Sequence, residues 1–218
     1  MFSHYASVNP QAILRQALGE TSPLLFATSE IRPGNFAPFL RSKHAAEISA
    51  SSPESTDFEV TSGLFGLVPS WAENINFSRH SFHANIETVS KKPNFRDAWK
   101  LGRHCIIPVQ YVYYPIWKNG RSSIARVHQK NGHAMGVAGL WSYWNSPSGL
   151  VYSFAMLSTN GDHWPIMNSM YRSFEEKRMV SSLPPECFKD WLRLPSDKSL
   201  DFIDQFSNTA KELILTCV

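Results

Sequence analysis

Apolar residues in this chain come in short bursts, and long periodic stretches are confined to its flanks. Phe65-Gly-Leu-Val-Pro69, Cys105-Ile-Ile-Pro108, Met135–Leu140 and Tyr152–Leu157 are apolar runs bounded by Gly or Pro, which predicts buried strands. Phe36-Ala-Pro-Phe-Leu-Arg41 reads as extended, and Glu30-Ile-Arg-Pro-Gly34 as a turn after a strand at Leu24–Ala27. A helix-period pattern appears at Pro10–Leu18, where Ile13, Leu14, Ala17 and Leu18 share a face behind an Asn9 cap. A turn or two of helix is expected at Phe95–Leu101. An amphipathic helix is expected from Pro184 to Leu192, with Cys187, Phe188 and Trp191 inward, and a last helix at Leu200–Phe206. Strands in the middle and helices around them predict an α+β fold built on a mixed, curled, barrel-like sheet. The Ser-, Ala- and Glu-rich segment 44–57 is expected to be a mobile surface excursion within one domain spanning 1–218, because strand material resumes at once after it.

Composition narrows this picture in three ways. Aromatics reach 13% of 218 residues, enough for an aromatic core, an aromatic-lined groove, or both. Formal charge is only +3, so any nucleic-acid surface has to be a local basic patch. Cys105, Cys187 and Cys217 are far apart with no CxxC, which argues against a zinc site or a disulfide framework and fits a reducing cytoplasm. We expect neither a signal peptide nor a membrane span, and no cofactor.

The order of motifs resembles the SRAP family of SOS response-associated peptidases, or abasic-site processing proteins. Gly66-Leu-Val-Pro-Ser-Trp71 is similar to its W-G-L-x-P-x-W element, with Phe65 in place of the first tryptophan. Phe82-His-Ala-Asn-Ile-Glu-Thr-Val89 resembles N-A-R-x-E-T-V, Asn94-Phe-Arg-Asp-Ala-Trp99 resembles S-F-R-x-A-W, and Cys105–Pro108 followed by Tyr113-Tyr-Pro115 resembles C-L-I-P…F-Y-E-P. Val137-Ala-Gly-Leu-Trp141, Met156–Asn160, Pro165–Asn168, Glu176-Lys-Arg-Met-Val180 and Pro185-Glu…Trp191-Leu continue the series. Each motif alone is weak; their shared order and spacing carry the resemblance.

The resemblance implies a specific chemistry. After removal of methionine, the family's N-terminal cysteine attacks the aldehyde of an abasic deoxyribose in single-stranded DNA through its amine, and its thiol closes a stable ring. A glutamate, an asparagine and a histidine position the sugar and move protons. Here those positions hold Phe2, Tyr114, His83 and Tyr171, with Asn85 in place of the neighbouring arginine. Phe2 has no thiol, and its bulk opposes methionine removal. A phenol with pKa near ~10 is a poor general base at neutral pH. The crosslinking and autopeptidase activities are therefore expected to be lost.

The same residues admit two kinds of reading. Phe2, Trp71, Tyr113, Tyr114 and Tyr171 either stack unpaired bases, at roughly 1–3 kcal/mol per base, or fill a disused pocket; at Trp71, whose motif the family places at its DNA groove, stacking is favoured. His83 is a base, half of a metal pair with His80, or a hydrogen-bonded structural histidine, the last favoured over metal. Arg96, Arg103, Arg121, Arg126 and Arg172 are phosphate contacts or ordinary surface charges, with Arg96 in the best-kept context. Glu87 and Thr88 contact DNA or hold the strand, Ser158 binds a phosphate or is a sheet-internal hydroxyl, and Cys105 is a core thiol. The Met1 amine is a last residual nucleophile for a reversible Schiff base. Together these give an expected single-stranded or abasic-DNA surface of His4, Trp71, His83, Asn85, Thr88, Arg96, Tyr113, Ser158 and Arg172, with no metal. The alternative is an interaction or regulatory protein of phage or mobile-element type that keeps the fold without binding DNA.

Overall fold

A computed structural model describes residues 2–9, 29–43, 58–118, 121–162, 164–168, 176–206 and 213–217. The expected helix Pro10–Leu18, the strand Leu24–Ala27, the excursion 44–57, Tyr171 and Arg172 lie outside the described residues. The strands, in chain order, are β1 (His4–Ser7), β2 (Ser29–Ile31), β3 (Phe36–Ser42), β4 (Phe58–Phe65), β5 (His83–Asn85), β6 (His104–Lys118), β7 (Arg121–Gln129), β8 (Met135–Ser146), β9 (Gly149–Asn160), β10 (Arg178–Val180), β11 (Ser182–Leu183) and β12 (Leu213–Cys217). All belong to one sheet. Five of them, β8-β9-β4-β3-β6, close on themselves because β6 also pairs β8. Closure removes the free edges that an open sheet of this size would present. The sheet is mixed: β4 and β5 run parallel to β9, and the other pairings are antiparallel.

Alternation along β6 shows how the strand pattern builds two cores. Cys105, Ile107 and Val109 join one buried cluster with Phe2, Tyr114, Phe154 and Met179, while Ile106 joins a second with Trp191, Phe188 and Leu140. The first fills the barrel; the second lies between its outer wall and the helix Phe188–Arg193. Gly136 in β8 permits that approach, since a Cβ there would collide with the Phe188 ring. The Trp191 indole N–H donates to the Cys105 carbonyl at 3.0 Å, tying the helix to β6.

The predicted strands in β3, β6, β8 and β9 are all present, and the helices form at Arg96–Lys100, Phe188–Arg193 and Ser199–Phe206. Two readings need correction. The run after Phe65 does not continue as strand: β4 ends there, and Gly66 turns the chain at a φ of +119°. A side chain at Gly66 would strike the Ser78 carbonyl, so only glycine lets the chain cross so near the turn Ile75–His80. Cys187 is half-buried at the end of the 3-10 turn Pro185–Cys187, and the inward positions are Phe188 and Trp191. Among the described residues, no helix is long and apolar enough to cross a membrane.

Candidate functional site

The N-terminal strand sets the site. β1 lies antiparallel to β6, with His4 opposite Tyr113, and the Ser3 amide donates to the Tyr113 carbonyl at 3.0 Å. That register delivers residue 2 to the Tyr114 side of the barrel interior. Phe2 is 1% exposed and meets Phe82, His83 and Tyr114 edge-to-face at 5.8, 6.0 and 6.0 Å. Three positions far apart in sequence thus converge, and they are the ones that the motifs single out.

Each member has a defined environment. The Tyr114 hydroxyl is fully buried, accepts from the Val180 amide at 3.2 Å and donates toward the Met179 sulfur at 3.8 Å. It is engaged with the β10 backbone. Burial pushes His83 down to about 4, and the positive charges of Arg178 and of the amino terminus act in the same direction. His83 is therefore a neutral imidazole at pH 7. Its Nδ1 is buried with no hydrogen-bond partner among the described residues. An imidazole titrating near 4 and a phenol held by backbone are not a proton-transfer pair tuned to neutral pH.

Beside the pocket stands a polar clamp. Asn85 and Ser158 face each other in the parallel β5–β9 register, and the buried Ser158 hydroxyl donates to Asn85 Oδ1 at 3.3 Å. Arg178, 2% exposed, donates to both Glu87 carboxylate oxygens at 3.1 and 2.7 Å, to the Ser158 carbonyl at 2.6 Å and to Glu176 at 3.2 Å. Glu87 also accepts from the Asn160 amide at 3.0 Å. Burial alone would raise the Glu87 carboxyl; the Arg178 hydrogen bonds and charge, together with the backbone amides of Glu87 and Asn160, hold it below the usual range. Sequence reading missed Arg178 as a functional residue. Its only signal was its place in Glu176-Lys-Arg-Met-Val180, beside no recognisable partner.

The other expected site residues are more dispersed. His4 is buried and stacked on Tyr113 at 4.1 Å and 10°, with burial and Arg32 lowering its pKa. Trp71 is 50% exposed and packs edge-on against Phe77 at 5.2 Å. The Thr88 hydroxyl donates to the Asn85 carbonyl at 3.4 Å. Arg96 is half-exposed at the start of its helix, 3.4 Å from Asp97. Cys105 is fully buried, and burial holds its thiol well above the ordinary range, as suits a core thiol. No group of three or more His, Cys, Asp or Glu side chains able to hold a metal ion gathers among the described residues.

The family model for SOS response associated peptidase matches residues 1–217. The chain belongs to the SRAP family. SRAP relatives include the abasic site processing protein YoqW of Bacillus subtilis strain 168 and its counterpart in Bacillus phage SPbeta. Both are 29% identical over 143 residues, covering 64% of this chain and 59% of theirs. The chain thus matches about three-fifths of the length of these curated relatives. Among solved structures, a protein of Bordetella bronchiseptica shares the fold at a TM-score of 0.79 and 26% identity, with 99% of each chain covered. A protein of Bacteroides thetaiotaomicron shares it at 0.73 and 17%, covering 99% of this chain and 91% of that one. The SRAP barrel is therefore the fold, and inside it Phe2 meets His83 and Tyr114, the positions that the motif resemblance singles out.

Proposed function

We propose that this SRAP protein binds single-stranded or abasic-site DNA non-covalently in the cytoplasm, as part of a DNA-damage response, and has lost the crosslinking and autopeptidase activities. The observation that carries the loss is Phe2: a buried hydrocarbon ring occupies the place where the family chemistry needs an amine and a thiol. Among the described residues, the neutral His83 and the hydrogen-bonded Tyr114 leave no efficient proton carrier beside it. Family membership and the abasic-site processing relatives support DNA as the ligand. On this reading the strand lies over the half-exposed Trp71, with Arg96 at the phosphates; His4, His83, Asn85, Thr88, Tyr113 and Ser158 form the wall behind it, and Arg172 completes the expected set.

One observation favours the alternative of an interaction protein without DNA binding. Asn85, at the family's arginine position, is bonded inward to Ser158 and adds no charge to the surface. A fluorescent single strand titrated at rising salt separates the two readings. Binding that weakens linearly on a log–log salt plot is expected, and no binding at low salt removes the DNA reading. Incubation with abasic single-stranded DNA followed by denaturing electrophoresis tests the loss of chemistry. A heat-stable adduct would falsify it, and an adduct seen only after borohydride would show a reversible imine, formed by the Met1 amine or a lysine.

A further inference from the structure

A basic surface lies at the other end of β6 from the Phe2 pocket. His104 borders it, whereas Tyr114 belongs to the Phe2 pocket, so the two sites are separated by ten residues, about 30 Å of strand. It is a cleft of about 560 Å³ between the turn Leu101–Arg103, the segment Leu192–Ser196 and the end of β3, within the size range of ligand sites. Its lining includes Lys43, Lys100, Arg103 and Arg193 and, among the described residues, no carboxylate, a dense grouping for a chain whose formal charge is only +3. Lys43, Lys100 and Arg103 have no ion-pair partner among the described residues.

Arg103 is held in place by rings: its guanidinium lies 4.6 Å from the Tyr143 ring centroid and 5.3 Å from that of Trp141. A guanidinium fixed in this way loses little freedom when its donors take up a phosphate. Leu101, 64% exposed, gives the cleft an apolar shoulder. Lys100 ends the short helix that Arg96 begins, at the i and i+4 spacing that places both on one helix side. Arg96, which also meets Asp97 at 3.4 Å, and Lys100 thus lead from the F-R-x-A-W motif into the cleft, which favours an extended polyanion over a compact one.

We propose that this cleft is a second phosphate site, which takes the backbone of a DNA strand continuing past Arg96. The inference rests on the DNA-binding reading above. Its test uses the full chain, a fluorescent oligothymidylate and a salt titration. Each phosphate contact contributes about 0.7 to the log–log salt slope for single strands. Lys43→Gln/Lys100→Gln should lower that slope by about 1.4, and Lys130→Gln, an exposed lysine outside the cleft, should leave it unchanged. Arg103→Gln, accepted only if its thermal midpoint matches the wild type, should lower it further. An unchanged slope in the double variant, with wild-type binding intact, overturns the cleft and leaves the Phe2-face reading standing. Failure of the wild type to bind at low salt sinks both. If thymidine monophosphate or inorganic phosphate protects the wild type but not the double variant against heat, while the oligonucleotide slopes coincide, the site takes free phosphates and the backbone assignment is wrong.

Discussion

Glu87→Gln is the perturbation that best tests how the pocket is held. The substitution keeps size and the acceptor for the Asn160 amide, and removes the negative charge opposite Arg178. Arg178 is 2% exposed and would be left buried with its charge. Breaking a buried pair by removing one partner costs about 3–5 kcal/mol. Here the loss should be smaller, because Glu87 is itself 45% exposed and Arg178 keeps the Ser158 carbonyl and Glu176. We expect about 2–3 kcal/mol. At about 2–4 °C per kcal/mol for a chain of this size, the midpoint should fall by roughly 4–12 °C, read by calorimetry at pH 7. The sign with pH follows from the depressed Glu87 pKa: the contribution is full above the ordinary carboxyl value of 4.5 and is lost as pH falls through the lower folded value. The difference between wild type and variant should therefore shrink below pH 4.5. A midpoint shift under about 2 °C at pH 7 would refute the clamp and return Glu87 to an ordinary surface carboxylate.

Three further outcomes are expected. His83 and His104 are both pushed down to about 4 by burial, so the unfolded chain binds more protons between 6.5 and 4; stability should fall across that window by on the order of 2–3 kcal/mol per histidine, and urea midpoints at pH 7 and pH 4 that coincide would contradict it. Phe2→Ala should cost about 3–5 kcal/mol by emptying the pocket beside Tyr114 without creating a heat-stable adduct with abasic DNA, since alanine supplies no thiol to close the ring; a loss below about 1 kcal/mol in urea unfolding would mean that the ring is not part of the core. Gly66→Ala should destabilise by more than the ~1–2 kcal/mol of a left-handed non-glycine residue, because its methyl group also meets the Ser78 carbonyl, and a near-neutral midpoint would show that the turn Ile75–His80 yields freely.

Much of this protein was legible in its linear order. The apolar bursts at Cys105, Met135 and Tyr152 identify central strands because a strand buried on both faces needs an unbroken apolar run. The motif series also locates residue 2, His83 and Tyr114 as one constellation, since motif identity survives when side-chain chemistry does not. Less legible were β7, which opens on the polar stretch Arg121-Ser-Ser, and β12, whose Leu213-Ile-Leu run is too short to be told from a buried helix segment by pattern alone. The Phe65–Pro69 run misled because local apolarity does not reveal that Gly66 must turn the chain past Ser78.

The amino-acid order by itself determined the family, the barrel-forming strands and the absence of a thiol at position 2, because these depend on residue identity and local pattern. Only the folded chain decided that Phe2 is buried against His83 and Tyr114, that Arg178 closes on Glu87, and that four cations meet in a cleft at the far end of β6. Those facts arise from pairings between residues that lie up to about a hundred positions apart, and no local preference encodes which distant partner a side chain will meet or how much water will remain around it.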